Sequence, residues 1–130
     1  KYLHLPELGG LRRPSSNSIN LAWENKTFRG YADYMQTKEF TEGLLKLIAL
    51  ARQNQIAIMC AEAVPWRCQR SLIADALVAR RINAKHILTE SSFINHELTP
   101  FAHVEGTRIT YPLFVKEKPQ RTLADFEQSN

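Results

Sequence analysis

Residues 59 to 71 read MCAEAVPWRCQRS and hold both cysteines of the chain, Cys60 and Cys68, with Glu62, Arg67 and Arg70. An apolar run precedes this stretch and a helical pattern follows it, so it reads as a strand-to-helix junction. A loop entering a helix presents unpaired backbone N–H groups and the positive end of the helix dipole. Arg67 and Arg70 add fixed charge and bidentate donors suited to phosphate, sulfate or carboxylate. A thiol in that field has its thiolate stabilised, which makes Cys60 or Cys68 a candidate nucleophile or redox-sensitive group. Glu62, or Glu7 in an earlier loop, is the candidate proton carrier. Packing offers a second account. Cys60 ends an apolar run, where a cysteine serves as a small core residue, and the arginines could cap or pair with Glu62 and Asp75.

The layout loosely resembles phosphatase and rhodanese loops, although Cys60 and Arg67 stand one residue further apart than the phosphatase spacing. Metal binding by Cys60 and Cys68 with His4 or His86 matches no compact zinc spacing, so no metal and no cofactor is assigned. Trp66 and the pair Tyr31 and Tyr34 could stack on a base, as in single-strand binders, or pack within their own domain. QRTLADF (120–126) matches a sliding-clamp-binding peptide no better than chance.

The elements that must position these residues follow from hydrophobic period. KYLHL (1–5) alternates like a strand, and PELGGLRRPSSNS reads as a long loop. FRGYADYMQ (28–36) holds a short helix. Phe40, Leu44, Leu47, Ile48 and Ala51 recur at helical spacing behind Thr37, a candidate N-cap. QIAIMC (55–60) reads as a strand buried on both faces. Leu72, Ile73, Ala76 and Leu77 form the apolar side of a helix from Arg70 to near Arg81. AKHIL (84–88) is a further strand, and RITYP an edge strand before a tail. Strand, helix, strand, helix, strand predicts a single α/β domain of three layers, a mostly parallel Rossmann-like sheet with helices on both faces. The domain is expected over 1–106, with the edge strand and tail over 107–130. Ligands bind beyond the carboxyl ends of parallel strands, so Glu7, Arg12, Arg13 and the junction residues should ring one cleft.

Composition bounds the rest. The chain has 130 residues, 44% hydrophobic and 23% charged, with a net charge of +4. That suits one globular domain and argues against wholesale disorder. No apolar run approaches the ~20 residues that cross a bilayer, so no membrane partner is expected. Two cysteines make no disulfide scaffold and point to a reducing cytoplasm. The opening KYLHLPELGG has neither an initiator Met nor a signal-peptide pattern, and the chain is expected to be incomplete at its N-terminus.

YLHLPELGG, FRGYADYM, MCAEAVPWRC, RSLIADAL and HIL, in that order, resemble the bacterial and archaeal family called domain of unknown function 488, over roughly residues 1 to 104. The resemblance implies a cytoplasmic single-domain α/β protein. Among the positions shared with the family's motifs, Glu7, Arg29, Cys60, Glu62, Cys68 and Arg70 are the hardest to explain by packing. Glu7, Arg29, Arg67, Arg70 and Ser71 are the candidate ligand-binding residues. Two features depart from the pattern. The usual opening strand, helix and second strand ending in Asp-Val-Arg are missing, and Gln69 stands where a His is common. Gln cannot act as an acid or base.

The leading expectation is therefore a small-anion cleft, for a phosphate- or nucleotide-type ligand, at residues 60–70. Arg70 and the backbone N–H groups would hold the anion, Arg67 would assist, and a cysteine would react. The alternatives are a non-catalytic nucleic-acid or nucleotide-binding module and a protein-interaction domain with inert cysteines.

Overall fold

The computed structural model describes residues 2–10, 12–59 and 69–113. Cys60, Glu62, Trp66, Arg67 and Cys68 lie outside the described residues, as does the peptide-like match at 120–126.

The chain begins with a 3-10 turn, Pro6–Leu8, that packs on the second helix. Helix α1, Lys26–Tyr34, starts where the Asn25 side chain accepts hydrogen bonds from the amides of Thr27 and Phe28, satisfying two donors that a helix start leaves open. Helix α2, Lys38–Gln53, is capped in the same way by Thr37, which accepts from the Phe40 amide at 3.2 Å. Phe40, Leu44, Leu47 and Ile48 form its buried stripe. Helix α3, Arg70–Ala79, is different: Ser71 through Ala76 are all buried. A helix enclosed on every side is a core helix, and its one acid, Asp75, is fully buried.

Helix α3 closes with two backbone bonds, Arg81 N–H to Val78 O at 2.8 Å and Ile82 N–H to Leu77 O at 2.9 Å. This is a Schellman ending, which places the residue after the cap in the left-handed region. That residue is Arg81, at φ 64°. Because a Cβ is disfavoured there, Arg81→Gly is expected to stabilise the protein by roughly 0.5–1 kcal/mol. An unchanged or lower urea midpoint would refute this.

Two antiparallel hairpins follow. Strands β1, Lys85–Thr89, and β2, Ser92–Asn95, pair in the register His86 to Ile94 and Ile87 to Phe93. Strands β3, His103–Glu105, and β4, Arg108–Thr110, pair around Gly106, at φ 65°.

This overturns the expected three-layer, mostly parallel Rossmann-like sheet. Among the described residues there are three α-helices and two separate two-stranded antiparallel sheets. The reason lies in the connections. A parallel neighbour needs a crossover of a dozen residues or more. Only Glu90 and Ser91 separate β1 from β2, so AKHIL turns straight back into a hairpin. Residues 89–92, TESS, thus make the turn of that hairpin. Residues 2–5 and 55–59 lie in no strand. Ile56 is 39% exposed, so the apolar run before the junction is not buried on both faces.

The core gathers Tyr31, Phe40, Leu44, Leu72, Ile109 and Tyr111 between the helices and β4. Each such apolar side chain contributes about 1.5–3 kcal/mol by leaving water. Tyr111 binds four partners at once. Its amide donates to Asn20 Oδ1 at 2.7 Å, its carbonyl accepts from Ala22 N–H at 2.9 Å, its hydroxyl donates to Asp75 at 2.7 Å, and its ring lies tilted at 59° against Trp23. The long loop over residues 14–20 is held by Asp33, which accepts from Ser15 N–H, Ser18 Oγ and Asn20 Nδ2 at 2.6–2.8 Å.

Candidate functional site

The C-terminal half of α2, the extended residues 55–58, the start of α3 and the first hairpin enclose a cleft of about 630 Å3. Its floor is apolar, from Leu47, Ile48, Ile56, Ala74 and Leu77, and its cationic groups are Arg52, Arg70, Lys85 and His86. Arg70 is the first residue of α3, so the guanidinium stands where that helix's open N–H groups begin. Lys85 sits over the Phe93 ring at 4.6 Å, which leaves its charge at the rim.

Behind the cleft wall runs a chain of short hydrogen bonds. His86 Nε2 lies 2.7 Å from His96 Nδ1, and His96 Nε2 lies 2.7 Å from Asp75 Oδ1. Asp75 also accepts from the Thr99 amide at 3.0 Å and, through Oδ2, from the Tyr111 hydroxyl. The His96 side chain is 7% exposed and that of Asp75 fully buried. Burial pushes the His86 imidazole below its usual value, and neighbouring His96 and Arg70 push the same way against the weaker pull of Asp75. His86 is therefore neutral at pH 7. Burial and the adjacent Asp75 carboxylate push the Tyr111 phenol far above its ordinary range, so it serves only as a donor.

The sequence-predicted residues are distributed as follows. Arg70 lines the cleft, and Ser71 is buried behind it in α3. Glu7 pairs with Lys46 at 2.8 Å, which holds its carboxyl below the usual carboxylate range. Arg29 donates through Nε to the Trp23 carbonyl at 2.9 Å, tying α1 to the loop before it. Arg12 lies 3.7 Å above the Tyr34 ring and donates to the carbonyls of Gly9 and Pro6. Tyr31 and Tyr34 donate to the carbonyls of Leu8 and Glu7, so both act inside the domain. Gly10 lies against the Gln69 side chain, which brings the PELGG loop to the entry of α3. Among the described residues no group of three or more His, Cys, Asp or Glu is placed to hold a metal ion. No helix among them is long and apolar enough to cross a membrane.

His96 and Tyr111 escaped the sequence reading, and Asp75 entered it only as a partner for arginine. The available signal was in LIADAL. An acid with Leu72, Ile73, Ala76 and Leu77 around it on one helix must be buried, and a buried acid needs donors from elsewhere in the chain.

The model of the family described as domain of unknown function DUF488 matches residues 1–77. The chain belongs to that family. The DUF488 match takes in the 3-10 turn, α1, α2, the junction and most of α3. His86, His96 and Tyr111 lie beyond it, so the hydrogen-bonded line joins a matched residue, Asp75, to three unmatched ones. No curated protein and no solved structure matches the chain.

Proposed function

We propose that this DUF488 protein binds a small phosphate- or nucleotide-type anion in the cleft headed by Arg70. The observation that carries this reading is the grouping of Arg70, Lys85, His86 and Arg52 around an apolar hollow of about 630 Å3. Cations at the rim recruit the anion, and the apolar floor lowers the local dielectric and accepts a ring or ribose face. Cys60, Glu62, Arg67 and Cys68 precede Arg70 closely in sequence, and in this reading Arg67 has the part of assisting at the anion, Cys60 or Cys68 that of a thiolate and Glu62 that of a proton carrier. Binding is the basis of the reading, and a thiol reaction would be built upon it.

Thermal unfolding with inorganic phosphate and with ATP tests the binding. At a hundredfold excess over Kd a ligand stabilises the native state by about 2.7 kcal/mol, a rise of several degrees in Tm. Arg70→Ala is expected to weaken binding roughly 10- to 100-fold, the worth of a charge-assisted hydrogen bond. Lys85→Ala, at an exposed position, should weaken it less and keep the fold. Unchanged affinity in both variants would remove the reading. Tight binding of single-stranded nucleic acid that falls steeply with salt would favour the nucleic-acid module instead.

A further inference from the structure

We propose that His86 is the proton-accepting group of this cleft, its tautomer fixed by the hydrogen-bonded line Tyr111, Asp75, His96, His86. The ligand class rests on the anion reading above. The relay itself rests on geometry alone.

The argument starts at the buried end. A carboxylate only accepts hydrogen bonds, and Asp75 takes them from Thr99 N–H, Tyr111 O–H and His96 Nε2. His96 must then carry its proton on Nε2. In a neutral ring that leaves His96 Nδ1 bare, so the 2.7 Å contact to His86 Nε2 requires His86 to donate. His86 thereby keeps its proton on Nε2, and its Nδ1 holds a free electron pair. Among the described residues Nδ1 has no hydrogen-bond partner, and the ring is part of the cleft lining. The rings of His86 and His96 meet edge to face, with centroids 4.9 Å apart at 73°, which restrains His86 from turning.

The proton step balances without any further reactant. A proton arriving at Nδ1 makes His86 an imidazolium. Its Nε2 proton can move to His96 Nδ1, leaving His86 neutral and His96 charged against Asp75. The charged and polar groups that face His86 are His96 and Asp75 behind it and Arg70 beside it, with Lys85 next in the strand. Arg70 disfavours the charged ring while the cleft is empty. An anion bound to Arg70 cancels that repulsion, so binding and protonation assist each other. Asp75 and His96 are positioning residues in this scheme, and His86 is the group that meets the ligand.

Imidazole nitrogen NMR on the full chain at pH 7.5 reads the tautomers. The expected result is a single Nε2–H form for His86 that becomes a mixture in His96→Ala. A proton on His86 Nδ1, or a single tautomer that survives His96→Ala, would overturn the relay. Sulfate, which carries no proton at neutral pH, provides the second measurement. Its affinity should fall by up to about tenfold per pH unit between the His86 titration of the free protein and that of the sulfate-bound protein, where binding takes up at most one proton. His86→Gln, at a half-buried position, should flatten that slope while leaving weaker binding in place. Sulfate binding with no pH dependence in the unmodified protein overturns His86 as the acceptor and leaves the anion reading standing. No sulfate binding, with the tautomer as expected, supports the relay and removes the anion reading.

Discussion

Asp75→Ala is expected to cost about 3–5 kcal/mol, the loss that follows when one partner of a buried ionic network is removed. Three donors converge on this carboxylate from three parts of the chain: His96 Nε2, the Thr99 amide and the Tyr111 hydroxyl. Each loses its acceptor, the Tyr111 hydroxyl in full burial and the other two in partial burial, at up to about 1–3 kcal/mol apiece. The small cavity beside Leu72 and Ala76 adds to that. Against a typical domain stability of 5–15 kcal/mol the variant stands near unfolding at room temperature. Asp75→Asn should fare better, because its carbonyl oxygen still accepts while its amide clashes with one donor. Urea denaturation of the three proteins would decide the matter. A loss under about 1 kcal/mol for Asp75→Ala would mean that water enters and satisfies the donors, and that the network is worth far less than its geometry implies.

The second large effect comes from a glycine. In Gly30→Ala the new Cβ would stand 1.9 Å from the Arg12 carbonyl oxygen and under 3 Å from two further backbone atoms. Helix propensity pulls the other way, since alanine is favoured over glycine within a helix by up to about 1 kcal/mol. Sterics win, because the clash is with backbone and cannot be relieved by a rotamer change. The loop must move, and with it the Asp33 bonds to Ser15, Ser18 and Asn20. A loss of about 3 kcal/mol, the upper end for overpacking, is expected. A fall in Tm of several degrees, with amide exchange accelerated over residues 12–20, would be the signature. Gly30→Ala at unchanged Tm would show that the loop sits on α1 far more loosely than this contact allows.

The helices were legible because their signal is local. Phe40, Leu44, Leu47 and Ile48 repeat at a helical period behind Thr37, and α2 begins where that cap predicts. Pairing is not local, and there the reading failed. QIAIMC and AKHIL are both short apolar runs, and nothing within five residues says whether such a run joins a sheet, pairs with its neighbour or lies extended along a cleft. The informative fact was further on: no helical stretch follows AKHIL, so no crossover could return the chain parallel. The same division holds for the site. Arg70 was placed at a helix start because the apolar period that follows it is local, and α3 does begin there. Asp75, His96 and Tyr111 meet only after folding, and no motif of fixed spacing announces them. Cys60, Glu62, Arg67 and Cys68 lie outside the described residues.

Tyr111 carries a consequence for how the protein is made. It joins Asn20 and Ala22 near the beginning of the chain to Asp75 in the middle, so nothing shorter than residues 20–111 can close the core around the buried acid. Synthesis runs from the N-terminus at a finite pace. Until Tyr111 has left the ribosome, α3 must wait with its acid unsatisfied and its apolar faces uncovered. The nascent chain is then a natural client for chaperones. A clone stopped just before Tyr111 should accumulate in inclusion bodies, whereas the full chain should not.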